Sequence, residues 1–283
     1  MTGNAAAAAA YVDLKKAFDS VHRETLWDLL CLRGIPAARI IGLLTGLYSG
    51  TVSAVKCGGG VSSFSPVNTG VRQGCVLAPS LFNTCMDWVL GRVVEQSHCG
   101  ASVGNTKITD LVFADDAAIL AESLEVLVMA LEALHEEEVK PSGLKVSCAK
   151  TKVQVFGGVL DETVLQSVHA CGENIEILKS FTYLGSVVIH NDGGSSQEVT
   201  RRIGLAHGVM DSLNTSIWRC RCLCRRTQIQ IFKSLVIPVL LYGSETWTLN
   251  TDLKRRIDVF GTRCFRRIME YRCQISDCSV RPI

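Results

Sequence analysis

Two adjacent aspartates, Asp115 and Asp116, stand between the apolar runs Leu111-Val112-Phe113 and Ala117-Ala118-Ile119-Leu120. Short apolar runs on either side of a small polar tip read as a β-hairpin with the acids at its turn. Adjacent carboxylates flanked by buried strands resist joint ionisation, because like charges at close range oppose it. A hard divalent cation removes that cost. Oxygen ligands on a rigid turn suit Mg²⁺, which takes one or two carboxylates together with substrate phosphates. An acidic β-turn is the plain alternative, since Asp is common in turns. A third acid shifts the balance: Tyr11-Val12-Asp13-Leu14 reads as a strand end. A strand-end aspartate beside an acidic hairpin tip is what two-metal phosphoryl transfer needs. One ion activates the attacking hydroxyl, and the other stabilises the leaving pyrophosphate.

The remaining pattern predicts an α+β body followed by a basic helical region. Helices are expected over 22–32, from Pro36 through Leu47, from Pro79 to about residue 94, and over 124–134, where apolar residues recur at i, i+3, i+4 and i+7. Strands are expected at 51–57, 61–64, 144–146, 153–156 and 181–189. Beyond Asn191-Asp192-Gly193-Gly194 the pattern turns helical, around 199–213, 229–241 and 253–269. The charge changes there too. Residues 1–195 carry 14 Lys+Arg against 20 Asp+Glu, net −6, whereas residues 196–283 carry 15 against 7, net +8. A basic segment on a chain of net charge +2 points to a polyanion partner.

Three motifs carry a resemblance. Tyr-Val-Asp-Leu-Lys-Lys-Ala-Phe-Asp-Ser-Val (11–21), Gly-Val-Arg-Gln-Gly-Cys-Val-Leu-Ala-Pro-Ser-Leu-Phe (70–82) and Phe-Ala-Asp-Asp (113–116) resemble, in order and spacing, the palm motifs of reverse transcriptases of the non-LTR, LINE-type retrotransposons. The resemblance covers about residues 11–270. It implies a polymerase palm, an antiparallel sheet with helices on one face, followed by a helical thumb-like region. The implied organisation is a low-complexity start at 1–10, a palm with part of the fingers junction at 11–190, and a basic thumb and C-terminal segment at 195–283. The implied activity is RNA-directed DNA polymerisation: deoxynucleoside triphosphates are added to a DNA primer 3′-hydroxyl along an RNA template, with two Mg²⁺ ions (or Mn²⁺).

The resemblance also implies roles. Asp13, Asp115 and Asp116 would hold the metals. Phe18 would be the gate that rejects a 2′-hydroxyl; otherwise it is a core aromatic. Gln73 and Gly74 would meet the incoming nucleotide and template, with Gly74 allowing close backbone approach. Arg72 would touch the template backbone, or serve as a surface cation. Lys150 would be the general acid for pyrophosphate departure, or a solvated lysine. Phe181, Tyr183, Leu184 and Gly185 would form the primer-grip turn. Asp19 reads as a helix cap or supporting residue, and Asp110 as a surface residue. The family carries fingers ahead of the first aspartate, whereas twelve residues precede Asp13 here and six of them, 5–10, are alanine. Alanine fills little volume and favours helix over strand. Little or no primer extension by residues 1–283 alone is therefore expected, and a non-catalytic nucleic-acid-binding remnant of a retroelement is the alternative.

Thirteen cysteines, an odd number with no secretory signal ahead of them, read as reduced thiols of an intracellular protein, nuclear or cytoplasmic rather than secreted. Cys220, Cys222, Cys224 and Cys264 do not fall at zinc-finger spacings, Cys273-x₄-Cys278 does but lacks a clear partner pair, and the six histidines show no ligand spacing. No apolar run is long enough to span a bilayer, and nothing points to a protein partner.

Overall fold

The computed structural model describes residues 7–136, 140–156, 167–189, 195–220 and 222–269. Four antiparallel strands, β1 (Ala7–Val12), β2 (Asp110–Phe113), β3 (Asp116–Ala121) and β4 (Lys152–Phe156), form a sheet in the order β4-β1-β3-β2. β1 is mostly alanine, yet it is a strand rather than a helix. It is paired on both sides, with Ala8 opposite Val155 of β4 and Ala121 of β3, and these two ladders override weak local preference. Residues 7–10 therefore belong to the sheet and not to a separate low-complexity start.

The period of two sorts the side chains. Ala8, Ala10 and Val12 of β1, Ala117, Ile119 and Ala121 of β3, and Val153 and Val155 of β4 lie in one buried core. Three helices, α1 (Arg23–Leu32), α2 (Ala78–Ser97) and α3 (Leu124–His135), contribute Leu26 and Leu30, then Leu81 to Val93, then Leu127, Leu131 and Leu134 to the same core. The antiparallel sheet with helices on one face is thus present. Local chemistry sets the helix ends. Ser123 Oγ accepts a hydrogen bond from Val126 N–H at the start of α3. Pro79 opens α2, where no backbone donor is needed.

Several expectations change in detail. Residues 144–146 make a single bridge, Leu14 with Val146, instead of a strand. The 51–66 region divides into short ladders, Val52–Ser53 with Ser65–Pro66 and Lys56–Cys57 with Gly60–Val61. Two further hairpins, Ala101–Val103 with Thr106–Ile108 and Ser167–Ala170 with Glu173–Glu176, carry patterns too short to read in advance. Residues 1–6, 137–139, 190–194, Cys273 and Cys278 lie outside the described residues.

The chain divides between Phe181 and Thr182, earlier than the 191–195 boundary suggested by charge. The second unit packs α4 (Ser196–Ser212) and α5 (Thr251–Met269) around Met210, Trp218, Phe232, Val236, Phe260 and Ile268. The helix expected around 229–241 is present as a gap-free helical run, Arg225–Ile231, a π turn at Phe232–Val236, and Ile237–Leu240. The π turn falls just ahead of Pro238, which has no N–H to give to the helix ladder.

Tyr183 and Ser186 flank a turn in which Leu184 (φ 47°) and Gly185 (φ 77°) are both left-handed. Gly suits such a position; Leu does so at a cost of about 1–2 kcal/mol. The turn is held from α4. Arg201 donates to the Gly185 carbonyl at 3.1 Å, and Arg202 donates to the same carbonyl. Tyr242 OH donates to the Leu184 carbonyl at 2.8 Å. Arg202 is itself buried and paired with buried Glu198 at 2.6 Å, and Glu198 accepts Val187 N–H. With this clamp intact, Leu184→Gly should stabilise the second unit by up to about 1 kcal/mol, by removing left-handed strain from a partly exposed residue. Urea unfolding measures it; a lower midpoint would show that the Leu184 side chain contributes more than the strain costs.

Candidate active site

β1 and β3 pair with Val12 opposite Ala117, which leaves Asp13 and Asp116 as neighbours where the two strands meet the tip. Side-chain alternation puts both on the sheet face away from the helices, because Val12 and Ala117 point into the core. Asp115 occupies the two-residue loop that joins Phe113 to Asp116. Ala114, the other loop residue, is left-handed at φ 56°, a conformation an alanine adopts only when its surroundings impose it. The Asp116 carboxyl is held above its ordinary value, first by burial and then by the charges of Asp115 and Asp13. Asp115 and Asp13 therefore each lie close enough to Asp116 to repel its charge, although the three carboxylates do not all lie within 4.8 Å of one another.

Asp13 is fixed from behind by the segment that carries Lys150. Ser147 N–H donates to the Asp13 carbonyl at 2.8 Å, and Asp13 N–H donates to Thr151 Oγ1 at 3.4 Å. Thr151 is fully buried and returns its hydroxyl proton to the Ser147 carbonyl. Neither Ser147 nor Thr151 stood out in the sequence as a site residue. Lys150 Nζ lies 3.5 Å from Asp13 Oδ2. Lys150 is 72 % exposed, so the pair contributes little stability and leaves the ammonium free to turn. Asp13 Oδ2 is buried without a hydrogen-bond partner. A buried carboxylate oxygen that makes no hydrogen bond and is held by one loose ion pair, with two more carboxylates at the same sheet end, fits a hard cation with oxygen ligands.

Phe18 stacks on Phe82 of α2, centroids 4.4 Å apart, and is half-buried. The 70–74 segment is anchored to it, with Val71 N–H donating to the Phe18 carbonyl at 2.7 Å. Close approach belongs to Gly70 rather than to Gly74. A Cβ on Gly70 would lie 2.7 Å from Asp19 Cα, Asp19 O and Phe18 O, whereas Gly74 (φ 79°) has open space around it. Arg72 donates to the Leu47 carbonyl at 2.7 Å and lies over the Tyr48 ring. Arg23, which the sequence did not single out, donates to the carbonyls of Tyr48, Val67, Thr69 and Gly70. Gln73 is exposed. Arg72, Gln73, Arg23 and Asp19 border an open cavity of about 800 Å³ that the three carboxylates do not line. Asp110 accepts from Thr109 Oγ1, and the Asp19 carbonyl accepts from Thr69. Phe181 stacks on Tyr11, two residues before Asp13, with centroids 4.4 Å apart. Tyr183, Leu184 and Gly185 lie in the second unit.

A family model described as reverse transcriptase (RNA-dependent DNA polymerase) matches residues 3–188. Among curated relatives, the Pol polyprotein of the type-1 retrotransposable element R2 of Nasonia vitripennis is 36 % identical over 44 % of this chain and 12 % of its own length. The putative 115 kDa protein of element R1DM of Drosophila melanogaster is 27 % identical over 84 % of the chain and 22 % of its own. An R2 Pol polyprotein of Popillia japonica is 25 % identical over 87 % and 34 %. The chain thus spans a minor part of these relatives. A solved telomerase from Candida tropicalis, in complex with a fragment of telomeric RNA, aligns over 94 % of the chain and 39 % of its own at TM-score 0.48 and 15 % identity.

Proposed function

The chain belongs to the reverse transcriptase (RNA-dependent DNA polymerase) family of non-LTR retrotransposons, and we propose that Asp13, Asp115 and Asp116 are its nucleotidyl-transfer centre, adding deoxynucleotides to a primer 3′-hydroxyl on an RNA template. One observation carries this reading: two strands and their turn bring Asp13, Asp115 and Asp116 to one sheet end, near enough for the charges of Asp115 and Asp13 to raise the Asp116 carboxyl, although the three do not all lie within 4.8 Å of one another. When bound there, Mg²⁺ would supply charge neutralisation for the triphosphate and the attacking hydroxyl. The protein's own groups do the rest. Lys150 Nζ, exposed and 3.5 Å from Asp13, gives a proton to the departing pyrophosphate. Phe18, whose ring is held against Phe82, serves as the gate against a ribose 2′-hydroxyl. Gln73 and Gly74 meet the nucleotide and template, and the Phe181–Gly185 segment meets the primer.

Templated primer extension with Mg²⁺ by the chain joined to a related fingers segment, compared with Asp115→Asn in the same background, tests the proposal, and Mn²⁺ binding by the chain itself, followed by paramagnetic resonance, tests the site without turnover. Asparagine is a poor partner for a hard cation, so both signals should disappear. Extension that persists in Asp115→Asn would overturn the assignment.

The basic second unit is proposed to hold the template–primer duplex through its phosphates. Arg255, Arg256 and Arg263 border a hollow of about 370 Å³ on α5. Affinity for an RNA–DNA duplex should fall linearly with salt on logarithmic axes. Arg255→Ala with Arg263→Ala should flatten that slope by roughly 2, since each lost phosphate contact releases about one counterion fewer. Filter binding across a salt series measures it, and an affinity indifferent to salt would contradict it.

A further inference from the structure

Three separate elements of the first unit bring one soft ligand each to a common point. His135 is the last residue of α3. Cys148 follows Ser147 in the turn that supports Asp13. Cys171, left-handed at φ 58°, begins the turn between Ser167–Ala170 and Glu173–Glu176. Their ring nitrogen and sulfur atoms all lie within 4.8 Å of one another. It is the one such group of histidines, cysteines and acids among the described residues. Cys148 is buried, Cys171 half-buried and His135 exposed, so the cluster is anchored inside and open at the histidine.

The surroundings favour a cation. Burial, the neighbouring Cys148 and the charges of Glu132 and Glu173 together push the Cys171 thiol up to about 12. Negative charge that opposes a bare thiolate attracts a metal ion and stabilises the thiolates once the ion is in place. We propose that His135, Cys148 and Cys171 form a thiolate–imidazole site for a soft divalent cation, Zn²⁺ by its ligand chemistry. Two sulfurs and an imidazole select zinc over magnesium. They leave a fourth tetrahedral position open to water on the exposed side. Binding releases both thiol protons to solvent, including the one that Cys171 donates to the Leu131 carbonyl at 3.3 Å. The ion would tie the end of α3 and the 167–176 hairpin to the turn that holds Asp13. The site uses none of the carboxylates of the proposed active centre, so either assignment can fail without the other.

Titration of the full, reduced chain with Co²⁺ tests the proposal, because thiolate-to-cobalt absorption reports sulfur ligation directly. One equivalent should bind with that absorption, and Zn²⁺ should displace it. Cys171→Ser should abolish the band. His135→Gln, at an exposed position that does not threaten folding, should weaken binding at least about 10-fold. Cys222→Ser with Cys224→Ser, in the second unit, should leave the band unchanged. Absence of the band in the parent chain, its survival in Cys171→Ser, or its loss in the Cys222/Cys224 variant would overturn the site. So would a Cys148–Cys171 disulfide in protein prepared with a thiol reductant.

Discussion

Asp116→Asn is expected to reduce templated nucleotide addition by at least about 10³-fold in the chain joined to a related fingers segment, while making the metal-free chain itself more stable. The first effect follows from losing several kcal/mol of charge stabilisation in phosphoryl transfer, at about 1.4 kcal/mol per tenfold in rate. The second follows from repulsion. Burial, Asp115 and Asp13 raise the Asp116 carboxyl above its ordinary value of 3.8, so the native state holds that proton more tightly than the unfolded chain does. Stability therefore falls as pH rises from the ordinary value through the raised one, and the full penalty is present at neutral pH. Asparagine carries no such penalty. At pH 7 without metal, the melting temperature of the variant should exceed that of the parent, and the gap should close below the ordinary carboxylate range. Mg²⁺ should raise the parent's melting temperature and leave the variant's unmoved. A variant that is destabilised at neutral pH, or that still extends primers, would show that Asp116 does not share a charged site with Asp13 and Asp115.

Gly70→Ala should destabilise the first unit by roughly 2–6 kcal/mol, a large part of a domain's total stability. Two costs add: a left-handed backbone at φ 79°, worth roughly 1–3 kcal/mol, and a Cβ at 2.7 Å from three backbone atoms of Phe18 and Asp19, which cannot rotate aside, worth roughly 1–3 kcal/mol. Urea unfolding should show a lower midpoint. Gly74→Ala is the control, since it pays only the first cost and should lose the smaller amount. Equal losses would place the strain in backbone conformation alone and remove the close packing of residue 70 on Phe18.

The hairpin with acids at its tip and the amphipathic helix at Leu124–His135 were legible because each is encoded within about twelve residues. The helix around 229–241 was legible from apolar periodicity, and only its π turn at Phe232–Val236, just ahead of Pro238, was not. The alanine strand shows the opposite case. Ala7–Ala10 carry no strand signal of their own, and only β3 and β4 on either side make them one.

Local periodicity, turn chemistry and charge along the chain already carry the α+β order, the acidic tip, the strand-end Asp13 and the basic C-terminal segment. Tertiary structure alone decided which glycine touches Phe18, that Ser147 and Thr151 hold Asp13, that Glu198 and Arg202 clamp the 184–185 turn, and that His135, Cys148 and Cys171 meet. Each of these joins residues that neither strand nor helix periodicity makes neighbours. Spacing along a chain reports only what one element can bring together. Contacts between elements depend on how their buried faces pack, and that is settled when the sheet closes over its helices.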